Sequence, residues 1–354
     1  MKIIHCADVH LGSKMDSRLP SEKAEERRRE LRSSFSSLVN YAADNNVSVI
    51  LLAGDVFDSD RPLKKDKEFF YNVVKNNPQI DFLYLRGNHD GLQSYEQSPD
   101  NLKCFSGEWR CYEYGNVAIS GVEITRTNSQ SIYSSLRLDE SKLNIVTLHG
   151  QIGDSSGVDK VNLSKLRAKN IDYLALGHIH TNALEKLDSR GVYAYSGCLE
   201  GRGFDEDGEK GFYLLTADDK ITAEFIPFSK RAVRIVTVDV SAANDGYAAY
   251  NLVKDALDCP KSDILRVVLT GEVAFDNSDL AAETQKMLLR ENYYYAEVRD
   301  KTLRKLDISD YEGDISLKGE FVRLVLQNAE LDDEKKREII SLGLKALEGR
   351  ELDV

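Results

Sequence analysis

From residue 1 to about 228, short continuous apolar runs alternate with stretches whose apolar residues recur every three or four positions. Runs at 2–7, 47–53, 81–85, 117–122, 144–148 and 171–176 predict strands, and 193–195, 212–215 and 221–226 predict later ones. The segment 22–46 predicts a helix, because Leu31, Phe35, Leu38, Val39 and Ala42 share one face at helical spacing. A second helix is expected over 64–77, ending before Pro78. Strands that are apolar along their whole length suit burial on both faces, so the pattern predicts an α/β layered β-sandwich flanked by helices.

Beyond about 229 the pattern changes to strand 232–240, helix 247–258, strand 264–273, helix 279–292 and strand 294–299. This order predicts a small α+β capping domain over 229–310. The remainder, 311–354, carries two amphipathic stretches. One sets Leu317, Phe321, Leu324 and Val325 on a face, and the other sets Ile340, Leu344 and Leu347. Either they pack on the chain's own core or they form a docking surface for a partner helix.

The 354 residues are enough for a sizeable core and for at least two domains. A net charge of −12 and a pI near 5.1 exclude a generally basic nucleic-acid coat, while leaving a local basic groove open. The five cysteines are odd in number, scattered and without a CxxC pair, which predicts free thiols in a reducing cytosol. The chain enters an apolar strand at once, with no secretory leader pattern, and no apolar run approaches the ~20 residues of a membrane span. A cytoplasmic protein with no membrane association is expected.

Chemistry enters through position. Five predicted strands run into metal-capable residues at their C-terminal ends: IIHCADVH (Asp8, His10), VILLAGDVFD (Asp55, Asp58), FLYLRGNHD (Asn88, His89, Asp90), IVTLHGQ (His149) and YLALGHIH (His178, His180). Five of the six histidines lie in these zones; His5 alone sits inside a strand. Any one cluster reads equally as a polar turn. Five at equivalent places do not, because the crevice of an open α/β sheet lies outside those strand ends. Asp, His and Asn without cysteine describe a mixed nitrogen and oxygen site for Mn²⁺, Fe or Zn²⁺. The number of donors exceeds what one ion needs, so two divalent ions sharing a carboxylate are expected. Ions about 3.5–4 Å apart clamp both oxygens of an in-line phosphoryl displacement, which makes phosphate-ester hydrolysis the natural reaction.

DVH, GDVFD, GNHD, HGQ and GHIH, in this order, resemble the calcineurin-like metallophosphoesterases. HCADVHLGS (5–13), GDVFDSDRP (54–62) and YSGCLEGRGFDEDGEKGFYLL (195–215) are similar to the DNA-repair exonucleases of the SbcD/YhaO type within them. The tail segments ISLKGEFVRLVL (315–326) and EIISLGLKALEG (338–349) resemble YhaO in particular. The resemblance implies a nuclease domain over 1–228. It implies one ion on Asp8, His10 and His180, with Asp55 bridging to a second ion on Asn88, His149 and His178. It also implies two Mn²⁺ ions (Mg²⁺, Fe or Zn²⁺ being alternatives), DNA as substrate and an SMC-like ATPase as partner, with a homodimer left open. His89 would meet the phosphate or protonate the leaving alkoxide, oriented by Asp58, while Asp90 caps the turn. Arg61, Arg86 and Arg202 are candidate phosphate contacts. Other readings keep the site for nucleotides or phosphoproteins, or make the chain a metal-bound scaffold for an ATPase.

Overall fold

The computed structural model describes the chain apart from residues 16–18, 91–97, 156, 306–313 and 348–354. Two compact units are present, Met1–Val233 and Arg234–Val354.

The strands of the first unit are β1 (Lys2–Cys6), β2 (Val49–Ala53), β3 (Asp81–Leu85), β4 (Leu102–Cys104), β5 (Arg110–Tyr114), β6 (Val117–Gly121), β7 (Leu143–His149), β8 (Gln151–Ile152), β9 (Lys160–Val161), β10 (Tyr173–Gly177), β11 (Ala183–Lys186), β12 (Val192–Tyr195), β13 (Gly211–Ala217) and β14 (Ile221–Pro227). Two six-stranded sheets form, in the orders β14-β13-β1-β2-β3-β4 and β11-β12-β10-β7-β6-β5. Their inner strands are parallel: β1 to β2 to β3 in one sheet, and β6 to β7 to β10 in the other. The α/β sandwich expected from the apolar runs is therefore the observed architecture.

Period-two alternation explains why these runs lack polar positions. In β2, Val49 and Leu51 enter the core between the sheets, beside Leu83, Ile145 and Tyr173. Ile50 and Leu52 point the other way, into a core shared with Leu31, Phe35 and Phe70. Those three belong to the helices α1 (Ser21–Asp44) and α2 (Lys64–Lys75), which cover that outer face. Every β2 side chain is buried, each large one contributing about 1.5–3 kcal/mol. The sequence pattern does not announce β4 or β5. The first has only three residues, and the second (RCYEY) is a charged strand with no fully buried position.

The second unit begins within β15 (Val233–Asp239) and contains α3 (Gly246–Ala256), β16 (Ile264–Thr270), β17 (Glu272–Val273), α4 (Leu280–Arg290), β18 (Tyr295–Asp300) and β19 (Leu303–Arg304), with helices at Leu317–Gln327 and Asp333–Leu347. β15, β16 and β18 form one sheet. One expectation needs correction. The strand expected over 264–273 is broken at Gly271, whose φ of +101° and lack of room beside Ser241 and Asp239 demand glycine. Glu272 and Val273 then pair with β19. In the tail, Leu317 and Leu324 are exposed at 71% and 60%, and the first helix buries Gly319 and Val322. Of the face drawn from sequence, Phe321 packs against Gly343 of the second helix, while Leu317 and Leu324 do not pack. Ile340 of the second helix is buried, as a core position should be.

Candidate metal centre

All five strand ends meet at one edge of the sandwich. β1, β2 and β3 deliver Asp8, His10, Asp55 and Asn88 from one sheet, while β7 and β10 deliver His149, His178 and His180 from the other. Main-chain bonds lock the loops together. Asp8 N donates to Gly54 O at 3.0 Å and His10 N to Asp55 O at 2.9 Å. The sheets are joined by His178 N, which donates to both carboxylate oxygens of Asp8 at 3.0 Å.

The backbone is strained at these residues. Asp8, His10, Asp55 and His178 all have positive φ, at 50°, 50°, 51° and 103°. Non-glycine residues enter this region at a cost of about 1–3 kcal/mol each, and such strain concentrates at functional sites. Close packing adds a second constraint, because the His149 ring is wedged between two glycines. A Cβ on Gly54 would lie 2.1 Å from His149 Nδ1, and one on Gly177 would lie 2.8 Å from the same atom.

Two groups of donor atoms form. Those of Asp8, His10 and His180 lie within 4.8 Å of one another, and so do those of Asp8, Asp55 and His149. Asp8 is common to both groups. The donor chemistry fits cations. His10 Nε2 and His180 Nε2 face each other at 3.2 Å, and His149 Nε2 is buried with no hydrogen-bond partner, 3.4 Å from Asp55 Oδ2. Convergent imidazole nitrogens and a buried nitrogen without a partner suit metal ligation better than any protein contact. Asn88 and His89 stand exposed at the mouth. The Asn88 amide lies 3.4 Å from His178 Nδ1. His89 N donates to Asp55 Oδ1 at 2.8 Å, and its ring centroid is 5.2 Å from that of His10.

Burial and charge set the protonation states. Desolvation lifts Asp8 to about 6, with the Asp55 charge adding to it against His149 and His180. Burial lowers His10 to about 4, leaving the neutral imidazole that binds metal. At His149 burial opposes charge, but the Asp55 carboxylate beside the ring outweighs it and raises the ring to about 9. Asp55 is held below the usual carboxylate range by the same contact, which prevails over its own desolvation.

The remaining sequence candidates lie close by. Asp58, expected beside His89, has its Oδ1 at 3.1 Å from His10 Nδ1, off the ideal hydrogen-bond line, and accepts from Arg202 Nη1 at 2.8 Å. Asp90 accepts from the main-chain nitrogens of Val56, Phe57 and Gly87 at 3.2, 2.8 and 3.1 Å, so it caps the turn and ties the β2 loop to the β3 loop. Arg86 is engaged by Glu123, Arg202 by Asp58 and Glu206, and Arg61 is exposed. Sequence reasoning did not single out Glu206, whose Oε1 is 2.7 Å from His180 Nδ1. It lies inside the quoted segment 195–215, but no local spacing links it to a histidine 26 positions away.

A sandwich that gathers aspartate, asparagine and histidine on its parallel strand ends defines a metal-dependent phosphoesterase. The family model for calcineurin-like phosphoesterase matches residues 1–182, and the chain belongs to that family. Among relatives, the DNA double-strand break repair protein Mre11 of Saccharolobus solfataricus is 27% identical over 339 residues, spanning 88% of this chain and 85% of that one. The metallophosphoesterase YhaO of Bacillus subtilis is 28% identical over 276 residues, with coverage of 72% and 67%. The Mre11 protein of Sulfolobus acidocaldarius is 21% identical over 377 residues, with coverage of 96% and 97%. Among the described residues no helix is long and apolar enough to cross a membrane.

Proposed function

We propose that the chain is a two-metal phosphodiesterase that hydrolyses DNA, as an exo- or endonuclease in DNA repair, together with an SMC-like ATPase. The observation that carries this reading is the convergence of Asp8, His10, Asp55, His149 and His180 into two donor groups sharing Asp8. The names of the Mre11 relatives, which span most of this chain, supply the substrate class.

In this reading Asp8, His10 and His180 hold one divalent ion, and Asp55, Asn88, His149 and His178 hold the other, with Asp8 and Asp55 between them. Mixed oxygen and imidazole donors without thiolate suit Mn²⁺. The ions, when bound, supply positive charge for the phosphoryl oxygens and a water of lowered pKa. His89 sits at the open mouth with its main chain tethered to Asp55, free to meet the phosphate or give a proton to the leaving oxygen. Arg86 and Arg202 are committed to carboxylates, so Arg61 is the better phosphate contact. The acidic chain grips DNA through a partner ATPase or a second copy that adds positive surface. Residues 229–310 then act as the cap. The tail of 311–354 is the docking segment, and its exposed Leu317 and Leu324 are available to a partner helix.

The test is Mn²⁺-dependent cleavage of end-labelled single- and double-stranded DNA, beside a generic phosphate monoester, by wild type, Asp55→Ala and His89→Ala. Asp55→Ala should lose roughly a thousandfold or more, about 4 kcal/mol of barrier. His89→Ala should lose about 10²–10⁴-fold while still binding metal. Robust monoester turnover with both DNAs intact would replace the nuclease by a phosphatase. No hydrolysis at all, with capture of an SMC-like ATPase, would leave a scaffold.

A further inference from the structure

His10 and His180 come from different sheets, yet the outer nitrogen of each faces a carboxylate. His180 Nδ1 lies 2.7 Å from Glu206 Oε1, and His10 Nδ1 lies 3.1 Å from Asp58 Oδ1. A single guanidinium joins the two carboxylates. Arg202 donates through Nη1 to Asp58 at 2.8 Å, and through Nε and Nη2 to Glu206 Oε1 at 3.0 and 2.8 Å. Arg202 Nη2 is also 3.1 Å from His180 Nδ1, but Glu206 is nearer to the ring and also receives that guanidinium nitrogen. The ring proton is therefore assigned to Nδ1, donating to Glu206, which leaves the Nε2 lone pair facing His10 Nε2.

The segment carrying these groups is itself anchored. Glu200, whose side chain is fully buried, accepts from Arg27 and Ser34 of α1 at 2.9 and 2.5 Å. Buried Lys210 donates to His180 O at 3.0 Å, and Cys198 N donates to the same oxygen at 3.3 Å. Glu206 is also held on its far side, where Oε2 accepts from Arg202 N at 2.8 Å. Its carboxylate is 5% exposed.

We infer that Glu206 is a positioning residue for the ion on Asp8, His10 and His180. It fixes the tautomer and angle of the His180 ring and, through Arg202 and Asp58, couples that ring to His10. The inference rests on the two-metal reading above. Carboxylates behind metal-binding histidines raise ligand basicity, and their loss costs about 10–100-fold in metal affinity.

The experiment is titration of the full metal-free chain with Mn²⁺ alone, followed by calorimetry and by the paramagnetic signal of free Mn²⁺. It uses wild type, Glu206→Ala, Glu206→Gln and His149→Ala, with thermal melts of each metal-free protein. Wild type should bind two ions. Glu206→Ala should bind one of them about 10–100-fold more weakly and the other within about threefold of wild type. Glu206→Gln, which keeps an acceptor oxygen, should fall between the two and covers the case in which the alanine variant does not fold. His149→Ala should weaken the ion that Glu206→Ala spares. Two ions bound with wild-type affinity by a folded Glu206 variant would overturn the inference alone. A wild type that binds no Mn²⁺ would overturn the two-metal reading, and the inference with it.

Discussion

The two halves of the site are held in different ways. Around His10 and His180 the second layer is charged side chains: Asp58, Glu206 and the Arg202 that joins them. Around His149 it is main chain and empty space. His149 Nδ1 is 2.9 Å from Ala53 O, and its ring lies where Gly54 and Gly177 leave room. A charged brace tunes basicity and tolerates graded change, because a weaker acceptor still accepts. A steric brace has no graded form, because nothing is smaller than glycine. One half is therefore tunable by substitution, whereas the other is intact or broken.

The sharpest way to break this contrast is Gly54→Ala. Its Cβ would meet His149 Nδ1 at 2.1 Å, on a backbone with φ of +100°. A loss of roughly 2–4 kcal/mol is expected, lowering the melting midpoint by about 5–15 °C and removing the ion on the His149 side. Adding His149→Ala should restore part of the midpoint, since the clash is with that ring, but not the ion. If the double variant melts no higher than the single one, the brace is backbone strain and not the ring contact.

Next comes Asp58→Asn, which keeps shape and removes charge beside His10. Mn²⁺ affinity on the His10 side should fall about 10–100-fold, with the other ion retained and the melting midpoint nearly unchanged. Equal loss of both ions would show that the halves do not act separately, because Asp8 couples them.

The smallest effect is expected in the second unit, where side-chain bracing faces solvent. In the second unit Glu291 accepts from Tyr250, Lys254 and Lys261, which lower its carboxyl to about 2. A depressed carboxylate stabilises the fold above its unfolded value of 4.5, and that share disappears as pH falls toward 2. Glu291→Gln should thus narrow the gap between urea midpoints measured at pH 6 and pH 3, with a shift near the limit of detection. A large shift would mean that exposed charge matters here as much as the buried pairs do.

The same division explains what was readable in the sequence. The sandwich and the strand-end residues were legible because both are local. Continuous apolar runs mark doubly buried strands, and each metal-capable residue follows its run directly. Strands β4 and β5 were not, because their stability comes from pairing with neighbours and not from their own pattern. Glu206 was invisible for a related reason, since its link to His180 exists only after β13 folds back beside β1. Asp58 was found by its position three residues after Asp55, yet that spacing gave no means of choosing between His10 and His89 as its neighbour. The tail helices were recognised as amphipathic, but which of their apolar residues pack was not readable: Val322 is buried and the Phe321 ring packs against Gly343, while Leu317 and Leu324 are exposed.

His5, the sixth histidine, has a use of its own. Its ring is fully buried between the sheets, Nδ1 lies 2.9 Å from the Tyr173 hydroxyl, and burial lowers its pKa to about 3. Above pH 5 it stays neutral, and it belongs to neither donor group of the site. In a proton spectrum of the imidazoles, displacement of the His5 signal on adding diamagnetic Mg²⁺ would report a rearranged core before any ligand resonance was assigned.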